Sequence, residues 1–231
     1  MVGQPTIAQP GLLDRPGLDP GQAVIDSPPM SKPRLIYFDA PVSRGEECRL
    51  ALHIAGIEFE DVRVPIADWP AMKERMPYGA LPVFEVPGRP AFAHSNAILV
   101  LIGRRHGLHP KDDFEAARHE GMMQHVEDLR AALGPTIRMP EAEKKAAREA
   151  LVAGYLPQWG RMAERNIGQG PYFGGADLQV VDLKIHLVVR WLTSGTLDHI
   201  PATIFADCPK LLGVHAAVRD HARVRDWYAR G

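Results

Sequence analysis

The chain has 231 residues, 45% hydrophobic and 24% charged, enough for one large core or two small ones. Its 27 Lys and Arg nearly balance 28 Asp and Glu, and the net charge of −1 gives no electrostatic footprint for nucleic acid or an anionic membrane. Cys48 and Cys208 lie far apart without CxxC or metal-ligand spacing, and no apolar run is long enough to span a bilayer; free thiols in a reducing cytoplasm are the expectation, and a metal centre is not.

Residues 1–32 are rich in Pro and Gly, and have neither the basic start nor the continuous apolar segment of a secretory signal; they are expected to be a disordered tail. Met30, just ahead of the first strand, is a candidate natural start. Arg34–Phe38 is an apolar run of strand length. In Arg44–Ala55, Cys48, Ala51, Leu52 and Ala55 fall at i, i+3, i+4 and i+7, the buried face of a helix that Gly56 is placed to end. Glu60–Val64 reads as a second strand and Trp69–Met76 as a short helix. Pro82–Val86 and Pro90–Ala93 flank Pro87-Gly88-Arg89 as a hairpin, and Ser95–His106 is a helix with Ser95 as its cap. The order βαβαββα is that of a thioredoxin-like α/β unit over residues 33–111.

From residue 112 onward the pattern is helical throughout, giving an all-α domain over residues 112–231. Phe114–Ala132 stops at Gly134-Pro135. Glu141–Asn166 carries Pro157, which must kink or divide it. Val180–Leu192 is apolar nearly all round, as the central buried helix of a bundle would be. Pro209–Ala222 and Val224–Arg230 complete the chain.

Three segments of the N-terminal half carry the chemistry. Trp69 and Lys73 in Asp68-Trp69-Pro70-Ala71-Met72-Lys73 are four apart, so on a helical turn they share a face that can hold a carboxylate. Leu81-Pro82, in Pro77-Tyr78-Gly79-Ala80-Leu81-Pro82-Val83, sits where a turn enters a strand; a cis bond there would turn the Leu81 amide and carbonyl outward for an extended peptide. His94-Ser95 opens a helix whose free N–H groups and positive dipole end make a second carboxylate site. Two anion sites flanking an exposed backbone edge suit a tripeptide with a carboxylate at each end.

These segments resemble the glutathione-binding domain of the glutathione transferases, the sigma class most of all, which includes the haematopoietic prostaglandin D synthases. The resemblance continues in Leu35-Ile36-Tyr37-Phe38, Arg44-Gly45-Glu46, Phe59–Arg63, Gly175, Asp182 and Cys208-Pro209-Lys210-Leu211, covering roughly residues 33–231. It implies an α/β plus all-α chain, a thioredoxin-like N-terminal domain followed by a transferase-type helical C-terminal domain. It also implies a homodimer, glutathione as co-substrate and no other cofactor.

Carried over by position, Tyr37 donates to the glutathione thiolate and Arg44 is a second cation beside it. The loop between them is one residue longer than in the sigma-class pattern, which keeps Ser43 open as the alternative donor. Trp69 and Lys73 fall to the glycine carboxylate, and the backbone of Ala80, Leu81 and Pro82 to the peptide edge. His94, where the family usually has Gln, and Ser95 fall to the γ-glutamyl end. Asp128, in Glu127-Asp128, matches an acid that reaches across the dimer to the γ-glutamyl amine. Gln124 replaces the first acid of a metal cluster known in some relatives. Gln179 stands where the family caps the central helix with Ser or Thr. Cys48, on the packed face of the first helix, is not placed to be a nucleophile.

The electrophile pocket is expected from the loop after Tyr37, from Met122 and Met123, and from Trp227-Tyr228. The leading reading is a cytoplasmic, detoxifying enzyme that adds glutathione to a hydrophobic electrophile. The alternatives are a glutathione-dependent isomerase, which shares every glutathione contact, and a non-catalytic protein that keeps the fold.

Overall fold

The computed structural model describes residues 31–230; apart from Ser31 and Lys32, the readings of the Pro-rich tail and of Met30 lie outside the described residues. A sheet forms from β1 (Arg34–Phe38), β2 (Glu60–Val64), β3 (Val83–Glu85) and β4 (Phe92–Ala93) in the order β2-β1-β3-β4. β1 pairs with β2 in parallel, whereas β1–β3 and β3–β4 are antiparallel. The parallel pair needs a crossover, and α1 (Ser43–Ile54) supplies it.

Side chains alternate across the strands, so the sheet has two buried faces. Leu35 and Phe84 join a core that includes Leu50, Ala51, Ile98 and Leu99, from α1 and α3 (Ser95–His106). Ile36, Val64, Val83 and Ala93 point the other way, against Met72, Met76 and Leu81. The helix expected over Trp69–Met76 is shorter, α2 (Trp69–Met72), followed by a 3-10 turn at Lys73–Arg75. α3 ends at Gly107, whose φ of +73° gives the left-handed cap and whose N–H donates to Gly103 O.

The helical half comprises α4 (Asp113–Leu133), α5 (Glu141–Ala153), α6 (Tyr155–Asn166), α7 (Val180–Thr193), α8 (Pro209–Asp220) and α9 (Ala222–Ala229). The segment with Pro157 is divided: the backbone breaks at Gly154 and the proline lies in the first turn of α6, where a missing N–H costs nothing. α7 is buried at every position from Val180 to Val189 and packs against α1, α4 and α8. Its start is held by Asp182, whose carboxylate accepts from the N–H of Phe173 at 2.7 Å and of Gln179 at 2.8 Å. Gln179 Oε1 has no hydrogen-bond partner among the described residues. The expected weakening of this cap is real on the side-chain half, and Asp182 keeps the other half.

Candidate active site

At the C-terminal end of β1, Tyr37 is 7% exposed. The first turn of α1 closes over its ring because residue 45 is glycine; a Cβ there would meet Cδ1 of Tyr37 at 2.0 Å. Burial raises the Tyr37 pKa above the usual phenol value, while the Ser43 hydroxyl and the Arg44 charge pull it down by less. The phenol is therefore protonated at neutral pH, the state in which it can donate to an anion. Ser43 lies at the very start of α1 with φ +57°, and its hydroxyl is near Tyr37. Arg44, in the first turn of α1, donates to Glu127 Oε2 at 2.7 Å.

Trp69 packs edge-on against Phe38, ring centroids 5.8 Å apart, which ties the start of α2 to the end of β1. Lys73 follows α2 rather than lying within it, and its stem crosses Gly79. Ala80 is extended, and the Leu81-Pro82 bond is cis. Among the described residues neither the N–H nor the C=O of Leu81 joins a backbone hydrogen bond, so both are free for an added strand.

His94, not Ser95, is the residue that caps α3; it has φ +74°, is exposed, and stacks on Tyr78 at 5.2 Å. Ser95 is the first helical residue and 3% exposed. The expectation of Ser95 as cap fails by one position because the left-handed turn at His94 ends the strand–helix corner one residue earlier. Ser95 still stands at the free N–H end of the helix.

Beneath Ser95 lies a group of charges that no motif or periodicity announces. Lys184, in the middle of α7 and fully buried, donates to Glu127 Oε1 at 2.6 Å, Glu47 Oε2 at 3.0 Å and Ser95 Oγ at 3.4 Å. Arg130 pairs with Glu47 and, at 2.8 Å, with Glu127. α1, α4 and α7 are thus joined by Glu47, Glu127, Arg44, Arg130 and Lys184, and α3 is tied to them through Ser95. Burial pushes the Glu127 carboxyl up, but the charges of Lys184 and Arg130 outweigh it and bring its pKa down to about 2. Asp128 turns away from this group; it is exposed and accepts from Gln124 Nε2 at 3.2 Å. Within one chain it meets none of the other candidate residues for which a contact is described.

A cavity of about 540 Å³ opens beside Ser43 and Arg44. Its other walls are Pro41, Val42, Arg130, Gly134 and Ile137, together with Leu187, Arg190, Trp191, Ser194 and Thr196 around the C-terminal part of α7. The loop after Tyr37 takes part as expected, but Met122 and Met123 do not: both face the core, because α4 turns that side inward. Trp227 is also spoken for, stacked on Phe59 and donating to Glu46 Oε1 at 2.8 Å. Cys48 is fully buried, and burial pushes its thiol up, which removes it as a nucleophile. Among the described residues no group of three His, Cys, Asp or Glu side chains is arranged to hold a metal ion.

The model for the glutathione S-transferase N-terminal domain matches residues 38–110, and that for the C-terminal domain matches residues 127–231. Glutathione S-transferase 1 of Ascaris suum is 37% identical over 123 residues, 53% of this chain and 59% of the relative. The class-mu 28 kDa isozyme of Schistosoma japonicum is 33% identical over 128 residues, 54% and 62% of the two chains, so the match spans about six-tenths of each relative's length. The prostaglandin D synthase structure from Nilaparvata lugens superposes with a TM-score of 0.76 at 24% identity, covering 86% of this chain and 98% of that one, a likeness of fold. With both domain models matched in order on a thioredoxin-like sheet followed by a helical bundle, the chain belongs to the glutathione S-transferase family.

Proposed function

We propose that the chain is a glutathione transferase that ionises the glutathione thiol beside Tyr37 and Ser43 and adds it to an electrophile in the adjoining cavity. The observation that carries this reading is the Tyr37 phenol at the end of β1 beside the Ser43 hydroxyl, with Ser43 and Arg44 in the wall of a cavity. A free thiol titrates near about 8.5, so a fixed donor to the thiolate is the main catalytic demand at neutral pH. The names of the Ascaris and Schistosoma relatives point the same way.

Trp69 and Lys73 would hold the glycine carboxylate, and Ala80, Leu81 and Pro82 the peptide edge. His94 and Ser95 would hold the γ-glutamyl end. Arg44 acts through its charge while tied to Glu127. Asp128 is left for a ligand bound to a partner subunit, in a homodimer. The cavity lining of Val42, Ile137, Leu187 and Trp191 suits an apolar second substrate. A division at residues 33–111 and 112–231, a cytoplasmic location and a role in detoxification complete the proposal.

The test is conjugation of glutathione to a generic aryl halide by Tyr37→Phe and Ser43→Ala. Removing one preorganised donor to a held anion costs about 10²–10³ in rate. Loss in Tyr37→Phe with glutathione affinity retained supports the phenol as donor, and loss in Ser43→Ala alone transfers the role to the serine. Normal turnover in both would contradict the proposed site. Glutathione binding with no conjugation of any electrophile by the unmodified protein would favour the isomerase or the non-catalytic reading.

A further inference from the structure

Nothing in the pattern of α7 calls for a charge at Lys184. The helix is buried from Val180 to Val189, and an apolar side chain would fill the position at less cost than an ammonium. Pairing does not require it either. Glu47 already has Arg130, and Glu127 has Arg130 and Arg44. Without Lys184 both carboxylates would still be paired with guanidinium groups, that of Arg130 in the core and that of Arg44 at its half-exposed edge. A buried ammonium that neither packing nor pairing requires needs another reason.

The contact with Ser95 supplies one. An ammonium has three protons and no lone pair, so between Lys184 and Ser95 the hydroxyl can act only as acceptor. Its single O–H proton is then directed elsewhere, away from the lysine. An anion is the strongest acceptor for such a proton. We infer that Lys184 is a positioning residue: through Ser95 Oγ it aims a hydroxyl proton at a carboxylate bound at the start of α3. This rests on the proposed function, which takes that carboxylate to be the γ-glutamyl carboxylate of glutathione. Facing the same spot are Glu47 on α1, Glu127 and Arg130 on α4 and, through Glu127, Arg44.

The experiment is calorimetric titration of glutathione into the full chain and its variants, with steady-state kinetics alongside. Lys184→Met should weaken glutathione about tenfold, the effect of a lost contact to a charged group, raising KM with little change in kcat. Ser95→Ala combined with Lys184→Met should bind no more weakly than Ser95→Ala alone, because the lysine acts through the hydroxyl. Glu47→Gln alone serves as the reference for the double variant. Glu47→Gln with Lys184→Met removes both buried charges together, so it tests the idea even where the single lysine variant fails to fold, and it too should be about tenfold weaker. Normal affinity in that double variant, or additive losses at Ser95 and Lys184, would overturn the inference while leaving the proposed function standing. If the unmodified chain binds no glutathione, the proposed function fails and the inference with it.

Discussion

The Cβ that Gly45 lacks would lie 2.0 Å from Cδ1 of Tyr37, so the first turn of α1 and the phenol ring occupy adjoining space that only glycine leaves open. The contact makes helix and catalytic candidate a single unit.

Gly45→Ala should therefore destabilise the protein, although the same exchange in an ordinary helix gains up to about 1 kcal/mol. The methyl meets a buried ring, and overpacking of that kind costs about 1–3 kcal/mol. Urea denaturation gives the sign, and turnover should fall as the ring is pushed from its place. A stabilised variant with normal turnover would show that the ring has room to move.

Asp182 should matter more than its neighbour Gln179. Removing the carboxylate in Asp182→Ala strips two N–H groups, those of Phe173 and Gln179, of their acceptor, at about 1–3 kcal/mol each. Gln179→Ser offers a shorter side chain at the cap of α7 and should add about 0.5 kcal/mol. Thermal melting of the two variants checks both signs.

Acid should loosen the bundle before the carboxylates titrate. His186 on α7 and His215 on α8 stack at 4.6 Å, each with Nδ1 on the other's backbone carbonyl. Burial, then the neighbouring His215, lowers the His186 pKa to about 4, and burial also lowers that of His215. Arg190 and Arg219 add repulsion to both, while Asp220 partly offsets it at His215. His119, by burial and then by His109, also falls to about 4.

For a base with a depressed folded pKa the unfolded chain binds more protons, so stability is full above the unfolded value of about 6.5 and is lost as pH falls towards 4. His186 alone accounts for roughly 3 kcal/mol of that loss. Asp182 works in the opposite direction: burial raises its pKa to about 7 against its two backbone hydrogen bonds, so its contribution favours the fold more at low pH than at high. Melting temperature against pH in the unmodified chain and in His186→Gln should show a shallower slope between pH 6.5 and 4 in the variant.

How much of this was legible follows the range of the interactions. The run Arg34–Phe38 and the alternation in the hairpin show strand structure locally, and α7 shows its burial by being apolar nearly all round. The break before Pro157 is equally local, because proline cannot continue a helix. Lys184 and Glu47 are separated by 137 residues, and no periodicity says that two charges so far apart will meet in the core. The inward turn of Met122 and Met123 was hidden for the same reason: they are apolar wherever they point, and only the packing of α4 on α7 decides that they face the core. Ser95 shows a nearer limit. A cap is chosen by the backbone angle of one residue, and the left-handed His94 takes that position although serine is the better capping side chain.

The proposed homodimer yields a test in mixed subunits. Asp128 is exposed and touches Gln124 rather than the site of its own chain. If it completes the partner's glutathione site, Tyr37→Phe and Asp128→Ala subunits mixed together should put both lesions in one site and leave the other whole, restoring about half the activity expected for two equivalent sites. Unrestored activity in verified mixed dimers would place Asp128 in its own chain's site, and a monomer by light scattering would contradict the premise.

The ionisation of bound glutathione tests the central claim most directly. Thiolate absorbance of the complex, followed against pH, should show half-ionisation well below the free-thiol value of about 8.5 in the unmodified chain. The midpoint should move back up in Tyr37→Phe, with binding retained. Tight binding with a thiol that ionises as it does in water, unchanged by either Tyr37→Phe or Ser43→Ala, would contradict thiol activation at this site.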